Sequence, residues 1–233
     1  STIILARLLA PEDFGIIAMA MIVAGGLEAM SEFGISTFLI TKQHSDDQYY
    51  NTAWTMNIIR STIIAVIVAL LAPWTAEFFN EPHLTIILYF ISFGAFIHGF
   101  ENVGVINFQK EFKFSKDFKW MVSTKLIGFV VTIPAAWFLR NYWALIAGML
   151  AARSTRVILS FYMHSYRPKI SLTRWREIFG FSKWLVMSNI LGFLRHQGDR
   201  FILAKLANVN TMGIYAVAWE IANLPTSELI API

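Results

Sequence analysis

Apolar stretches of about twenty residues or more recur along nearly the whole chain, divided by short polar segments, and no other feature restricts its folding as tightly. A helix needs about 20 apolar residues to cross the hydrocarbon core of a bilayer. Eight candidate spans follow from this measure. The first ends near Ala10 and the last starts at Gly213; between them lie Phe14 to Ile40, Trp54 to Phe79, Leu84 to Phe108, Phe118 to Leu139, Trp143 to Tyr166 and Lys183 to Ala207. Several exceed what spanning requires, so tilt or interfacial ends are expected. Only 15% of the 233 residues are charged and 56% are hydrophobic, where a soluble domain carries roughly 25% charged residues. A water-soluble globule could not hide that much apolar side chain, so the chain reads as part of a multi-pass membrane protein. It opens on Ser1 and stops at Ile233, both inside apolar runs, and therefore reads as a fragment with its first and last helices truncated.

Cysteine is absent, which excludes a disulfide framework, a cysteine zinc site and a thiol nucleophile. Neither a GxxxxGK[ST] phosphate loop nor an HExxH zinc signature occurs, and the histidines are scattered. The expectation is a protein that is not an enzyme, with no cofactor and no metal. The formal charge of +4 is modest, and Lys and Arg gather in particular loops, which bears on membrane orientation rather than on nucleic acid. Lys110, Lys113, Lys116 and Lys119 lie between the fourth and fifth spans, and Arg167, Lys169, Arg174, Arg176 and Lys183 precede the seventh; both loops belong in the cytoplasm. The alternate loops hold Glu12, Asp13, Glu77 and Glu81 against a lone Arg140 and belong outside. Before the seventh span, Trp175, Ile178 and Phe179 share one helical face while Arg174, Arg176 and Glu177 share the other, the pattern of an interfacial linker helix, with an ordinary anchored loop as the alternative.

An internal repeat is also legible. Residues 4–20, ILARLLAPEDFGIIAMA, align without a gap to residues 202–218, ILAKLANVNTMGIYAVA, with eight of seventeen positions identical at a constant offset of 198. The segment joins helix one to helix two and again helix seven to helix eight. The repeating unit is therefore six helices, and an even number preserves orientation, so the repeats are parallel and related by an axis along the membrane normal. The expected architecture is an all-α integral membrane protein of two six-helix lobes. Residues 1–166 form the N-terminal lobe, 167–182 a cytoplasmic amphipathic linker and 183–233 the start of the C-terminal lobe. Lobed repeats about a central cleft suit alternating-access transport.

Charges inside the spans mark the candidate site. In the seventh, Ser188, Asn189, Gly192, Arg195, His196 and Asp199 recur along one face, and Arg195 near the midplane must face protein or water. Asp199, one turn from Arg195 and His196, could neutralise either. Arg153 and Arg156 share a face halfway along the sixth span, whereas Arg60 and Lys125 sit within snorkelling reach of the cytoplasm. Carboxylates accompany them: Glu28 with Glu32, Glu101 with His98 and Asn102, and Glu220 with Asn223. Buried carboxylates are natural proton or sodium sites, and Arg side chains suit a phosphate or carboxylate through paired hydrogen bonds. The sum remains basic, so the expected cargo is anionic. A merely structural ion pair in the seventh span is the alternative.

The segments LARLLAPEDFGIIAMA, SEFGISTFLITK and NTAWTMNIIRS resemble the N-terminal lobe of Wzx-type polysaccharide flippases. These form the polysaccharide transport family of the multidrug/oligosaccharidyl-lipid/polysaccharide (MOP) exporter superfamily, and the likeness is to its exopolysaccharide and lipopolysaccharide branch. FGFSKWLVMSNILGFLRHQGDRFILAKLANVNTMGIYAVAWEIANLP resembles that family's seventh and eighth helices, with D-R-F-I-L followed by G-x-Y. The resemblance covers essentially the whole chain. It implies a MATE-like fold and alternating access, by which undecaprenyl-pyrophosphate-linked oligosaccharide repeat units cross a bacterial plasma membrane for surface polysaccharide biosynthesis. The implied partners are that lipid-linked substrate, membrane lipids, a polysaccharide polymerase and export machinery, and no nucleic acid. On that reading Arg153, Arg156 and Arg195 would cradle the pyrophosphate or acidic sugars, with Arg200, Lys125 and Arg60 as further contacts. Asp199, Glu28, Glu101 and Glu220 would be candidates for ion coupling. The family offers no catalytic signature to transfer, so these assignments rest on the helical faces. Three rivals share much of this description. A cation-coupled multidrug antiporter of the same superfamily calls for a cavity dominated by carboxylates, and a peptidoglycan-precursor flippase differs in cargo. A membrane glycan polymerase or ligase calls for a sizeable outward loop bearing Arg or His.

Overall fold

The computed structural model describes residues 2–42 and 46–224. It is 84% helical, and no strand occurs among the described residues. In chain order the helices are α1 (Thr2–Leu8), α2 (Pro11–Met30), α3 (Ile35–Thr41), α4 (Asp47–Phe79), α5 (His83–His98), α6 (Ile106–Lys110), α7 (Phe114–Leu139), α8 (Trp143–Met163), α9 (Trp175–Leu206) and α10 (Val209–Leu224), with a single 3-10 turn at Val103–Val105 before α6.

Four segments are long and apolar enough to cross a membrane: Pro11–Thr41, which joins α2 and α3, and Asp47–Phe79, Phe114–Leu139 and Trp143–Met163. A fifth arises if α5 and the Val103–Lys110 segment, bent by 66°, count as one span. The surfaces support this reading, since Leu70 is 67% exposed, Trp137 62% and Phe138 83%, an arrangement that lipid tolerates and water does not. The fold is thus that of an all-α, multi-pass membrane protein. α9, expected as the seventh span, holds only a short apolar stretch, Leu185–Arg195. The polar stripe from Ser188 to Arg200 interrupts its hydropathy, so composition alone does not make it a span.

Two expected spans are broken, each for a local reason. The second stops at Met30, where the Ser31 hydroxyl donates to the carbonyls of Leu27 and Glu28, and the chain turns at Gly34 with φ +57°. That conformation suits glycine, and the side chain of Leu185 fills the space a Cβ would need. The fourth stops at His98. Asn102, wholly buried, then starts the 3-10 turn by accepting from the Gly104 amide, while its own amide group donates to the Tyr166 carbonyl and its backbone N–H to Ser160 Oγ.

The main core joins α2, α4 and α5 through Met19, Val68, Leu84, Ile87, Leu88 and Ile91, with Ile146 of α8 completing it. α7 lies along α8 through small residues, Gly128, Thr132 and Ala136 facing Ala144, Gly148 and Ala152, as close packing of helices in lipid requires. Residues 164–172 have no regular secondary structure, 173–174 form a turn, and Trp175, Ile178 and Phe179 lie on helix that is continuous with α9. Polar side chains on the first turns of α4 substitute for helical partners. Asn51 Oδ1 accepts from the Tyr166 hydroxyl and the Lys169 N–H, Thr55 Oγ1 from the Ser171 N–H, and Thr52 Oγ1 from the Arg174 N–H.

The sequence repeat reappears in helix boundaries and contacts. α1 ends at Leu8 and α9 at Leu206, while α2 begins at Pro11 and α10 at Val209, so both boundaries recur at the offset of 198. α2 and α10 then pack against each other reciprocally. An ideal Cβ on Gly15 would lie 2.0 Å from the Val209 carbonyl oxygen, and one on Gly213 would lie 1.7 Å from the Pro11 carbonyl oxygen. Each glycine therefore meets the first residue of the opposite helix, and each pairing is the repeat image of the other.

Candidate functional site

Beside this glycine contact α2 and α10 also share a cavity lining. A cavity of about 440 Å³ opens between them and α9, lined by Met21, Gly25 and Ala29 of α2, by Phe193, Gln197 and Arg200 of α9, and by Trp219 and Glu220 of α10. Gly25 and Ala29 also line a second cavity of about 310 Å³ that runs inward between α2, α4 and α5. This shares Glu32, Arg60 and His98 with a third of about 200 Å³, which reaches Glu101 and Arg156. The three cavities are thus neighbours, ranged from the α2–α9–α10 seam toward the interior of the helix bundle.

Inside it, two of the predicted cations meet two of the predicted carboxylates. Arg153 of α8 forms a two-pronged pair with Glu28 of α2, its Nη1 and Nη2 lying 2.9 and 3.3 Å from the carboxylate oxygens. Gly94 of α5 makes room for this crossing, for a Cβ there would sit 3.2 Å from Arg153 Cδ. Arg156 holds Glu101 in the same way, with Nε 2.6 Å from Oε2 and Nη2 3.4 Å from Oε1. Its guanidinium also lies over the Trp120 ring at 4.2 Å. His98 Nδ1 is 3.2 Å from the same Oε2, near enough for charge attraction but off the angle of a hydrogen bond. Glu101 is 13% exposed, and a carboxylate so enclosed needs its cationic partner to stay ionised.

Other candidate cations stand differently. Arg60 lines both inner cavities, donates to Asn57 Oδ1 at 3.0 Å and leaves its buried Nε without a hydrogen-bond partner among the described residues. Arg200 lines the outer cavity, stacks on Trp219 at 3.4 Å and likewise leaves Nε and Nη2 unpartnered. Asp199 accepts from the Tyr215 hydroxyl of α10 at 3.0 Å and makes no ion pair with Arg195 among the described residues. Arg195 and Lys125 are exposed and line none of the three cavities. Glu220 lines the outer one. The side chains of Lys183 and His196 lie outside the described residues. Sequence reasoning missed Asn57, Trp120, Tyr215 and Trp219. Asn57 could have been found from its position one turn before Arg60, whereas the others have no local signal. Among the described residues no group of three or more His, Asp or Glu side chains is placed to hold a metal ion.

At the basic end of the bundle a second cluster ties α9 to α3 and α4. Glu177 Oε2 accepts from the Tyr49 hydroxyl at 2.8 Å and from Lys42 Nζ at 3.0 Å, and Oε1 from Arg174 at 3.1 Å. Lys42 Nζ also sits 3.6 Å from the centre of the Tyr49 ring. The Tyr49 hydrogen bond, followed by that from Lys42, pulls the Glu177 carboxyl down from 4.5 to about 2. A carboxyl depressed on folding adds stability that is complete above its unfolded value and is lost as pH falls through its folded one. Wild type and Glu177→Gln should therefore differ in Tm by a constant amount from neutral pH down to about 4.5, then converge as pH approaches about 2. A scan of Tm against pH checks this, and convergence above pH 4.5 would remove the cluster's claim to hold α9.

The family described as polysaccharide biosynthesis protein matches residues 4–233. The chain is 25% identical over 232 residues to the lipopolysaccharide biosynthesis protein WzxC of Escherichia coli, covering 97% of this chain and 47% of that protein. It is 22% identical over 232 residues to the succinoglycan biosynthesis transport protein ExoT of Rhizobium meliloti, covering 99% of this chain and 47% of the relative. With the teichuronic acid biosynthesis protein TuaB of Bacillus subtilis it shares 19% identity over 204 residues, 85% of this chain and 42% of TuaB. The chain thus spans about half the length of the curated relatives it matches. No solved structure matches it.

Proposed function

The chain belongs to the polysaccharide biosynthesis protein family, and from that premise we propose that it serves in a flippase of the bacterial plasma membrane that moves lipid-linked oligosaccharide repeat units outward by alternating access. The names of WzxC, ExoT and TuaB, which tie them to surface polysaccharide synthesis and in one case to transport, support this role and fit a protein that is not an enzyme. Its partners would be the lipid-pyrophosphate-linked substrate, the surrounding lipids, and the polymerase and export machinery that use the product.

Two lobes facing each other about an axis along the membrane normal are supported by the reciprocal Gly15 and Gly213 contact and by helix boundaries recurring at 198. With the acidic loops outside, as the lysine and arginine bias of the other loops leads us to infer, this contact would lie on the outer side. The cavity beside it would then open toward the cytoplasm, where a lipid-linked substrate is made.

The observation that carries the substrate assignment is the unequal state of the arginines. Arg153 and Arg156 are engaged with Glu28 and Glu101, whereas Arg60 and Arg200 line the neighbouring cavities and, among the described residues, leave buried guanidinium nitrogens without a hydrogen-bond partner. Arg60 and Arg200 would grip the pyrophosphate by charge-assisted hydrogen bonds. The Glu28 and Glu101 pairs would take part in coupling by exchanging their arginine for a cation. Full-length protein in proteoliposomes, loaded with a lipid-pyrophosphate-linked oligosaccharide, should move it between leaflets. Arg60→Ala and Arg200→Ala should each slow the movement by roughly tenfold or more, the loss expected for a charge-assisted contact, while the variants remain folded. A wild type that moves no such lipid but exchanges a cationic dye for protons would sink the flippase reading in favour of an antiporter.

A further inference from the structure

The turn between α6 and α7 has no part in the site above, and its chemistry is unusual. Residues 110–119 read KEFKFSKDFK, with lysine at every third position and phenylalanine between. Phe112 is 77% exposed, Phe114 62% and Phe118 64%. The Phe112 and Phe114 rings meet edge to face at 5.9 Å, and Phe118 lies one turn beyond Phe114 on α7. α6 ends in a left-handed cap: the Lys113 N–H donates to the Phe108 carbonyl at 2.7 Å and the Phe112 N–H to that of Gln109 at 3.1 Å. Phe112 itself sits at φ +55°. Glycine usually takes that place, and a bulky aromatic there is an outlier. The backbone strain turns a large ring outward rather than into the core.

The carboxylates of the turn are already engaged. Glu111 pairs with Lys113 at 2.5 Å and Asp117 accepts from Gln109 at 3.1 Å. Lys116 and Lys119 remain exposed, and Arg167 extends the basic surface from the end of α8, its Nη1 held by the His164 carbonyl at 2.6 Å. The turn belongs to the cytoplasmic side by the excess of lysine and arginine, and it adjoins α7, whose apolar length lies in the bilayer. The layer it meets is therefore the headgroup region of the inner leaflet, where aromatic rings partition and basic side chains attract anionic lipid.

We propose that the α6–α7 turn is an anionic-lipid anchor, in which Phe112, Phe114 and Phe118 insert at the cytoplasmic interface and Lys116 and Lys119 hold anionic phospholipid headgroups. The test uses full-length protein without cysteines, spin-labelled singly through Phe114→Cys or Phe118→Cys, in nanodiscs of phosphatidylcholine alone or with one third phosphatidylglycerol. Both labels should be accessible to oxygen and shielded from a water-soluble nickel complex. Phosphatidylglycerol should raise the Tm of wild type, and the combined Lys116→Gln and Lys119→Gln variant should lose at least half of that rise. Phe112→Gly relieves the strained backbone, so it should match or exceed wild type in phosphatidylcholine and still gain less from phosphatidylglycerol. Labels open to nickel in both bilayers would overturn the proposal, as would an unchanged phosphatidylglycerol response in the lysine variant. Shielding that appears only when an acidic partner protein is added would transfer the surface to that partner and overturn it equally.

Discussion

Gly213→Ala and Gly15→Ala are each expected to destabilise the protein by about 3 kcal/mol, the upper end of the overpacking range, although each adds a single methyl group. The new carbon would be placed 1.7 Å from the Pro11 oxygen in one case and 2.0 Å from the Val209 oxygen in the other. Both obstacles are backbone atoms in the first turn of a helix, so no side chain can swing aside and the helices themselves must separate. Separation would also forfeit the close approach that favours Cα–H to carbonyl contacts, worth about 0.5–1 kcal/mol each. Because the contact is reciprocal, one displacement relieves both clashes, and the double variant should cost clearly less than the sum of the two. Thermal unfolding in detergent measures the costs, and spin-label distances between the N-terminal ends of α2 and α10 measure the separation. On the alternating-access proposal the same variants would favour a form parted on the outer side. Alanine variants as stable as wild type, with unchanged distances, would show that the two helices do not depend on this contact.

Arg156→Ala should be nearly as damaging, at roughly 2–3 kcal/mol. Breaking a wholly buried pair costs about 3–5 kcal/mol, and the lower figure reflects an Arg156 side chain that is 38% exposed. The loss has two sources. Glu101 would be left enclosed with only His98 nearby, and the stack of the guanidinium on Trp120 at 4.2 Å would vanish. Glu101→Gln in the same chain removes the stranded charge, so the double variant should recover much of the stability while the Trp120 stack stays lost. Arg156→Lys should recover less than half, because an ammonium group cannot reproduce the two-pronged geometry or the planar stack. A double-mutant cycle on Tm decides the matter. If Arg156→Ala and the double variant are equally destabilised, Glu101 is not held in its charged form by Arg156.

Much of this architecture could be read from residue order because it rests on short-range physics. Hydropathy over about twenty residues marks the helices that lipid accepts. The alignment of residues 4–20 with 202–218 foretells that α2 and α10 begin at equivalent positions. Hydropathy could not locate the breaks after Met30 and His98. Those depend on Ser31, Gly34 and Asn102 and on partners such as Leu185, Ser160 and Tyr166 that lie far along the chain. The helical faces of Arg153 and Arg156 could be found by counting, but their partners could not. Glu28 lies 125 positions from Arg153, and Glu101 lies 55 from Arg156, and only helix packing brings them together. The sequence by itself determined the all-helical, membrane-spanning character of the chain, since apolar length is a sum over neighbouring residues. The tertiary structure alone decided which buried charges neutralise each other and which remain open to a ligand, because electrostatic pairing depends on distances of a few ångströms that chain separation does not encode.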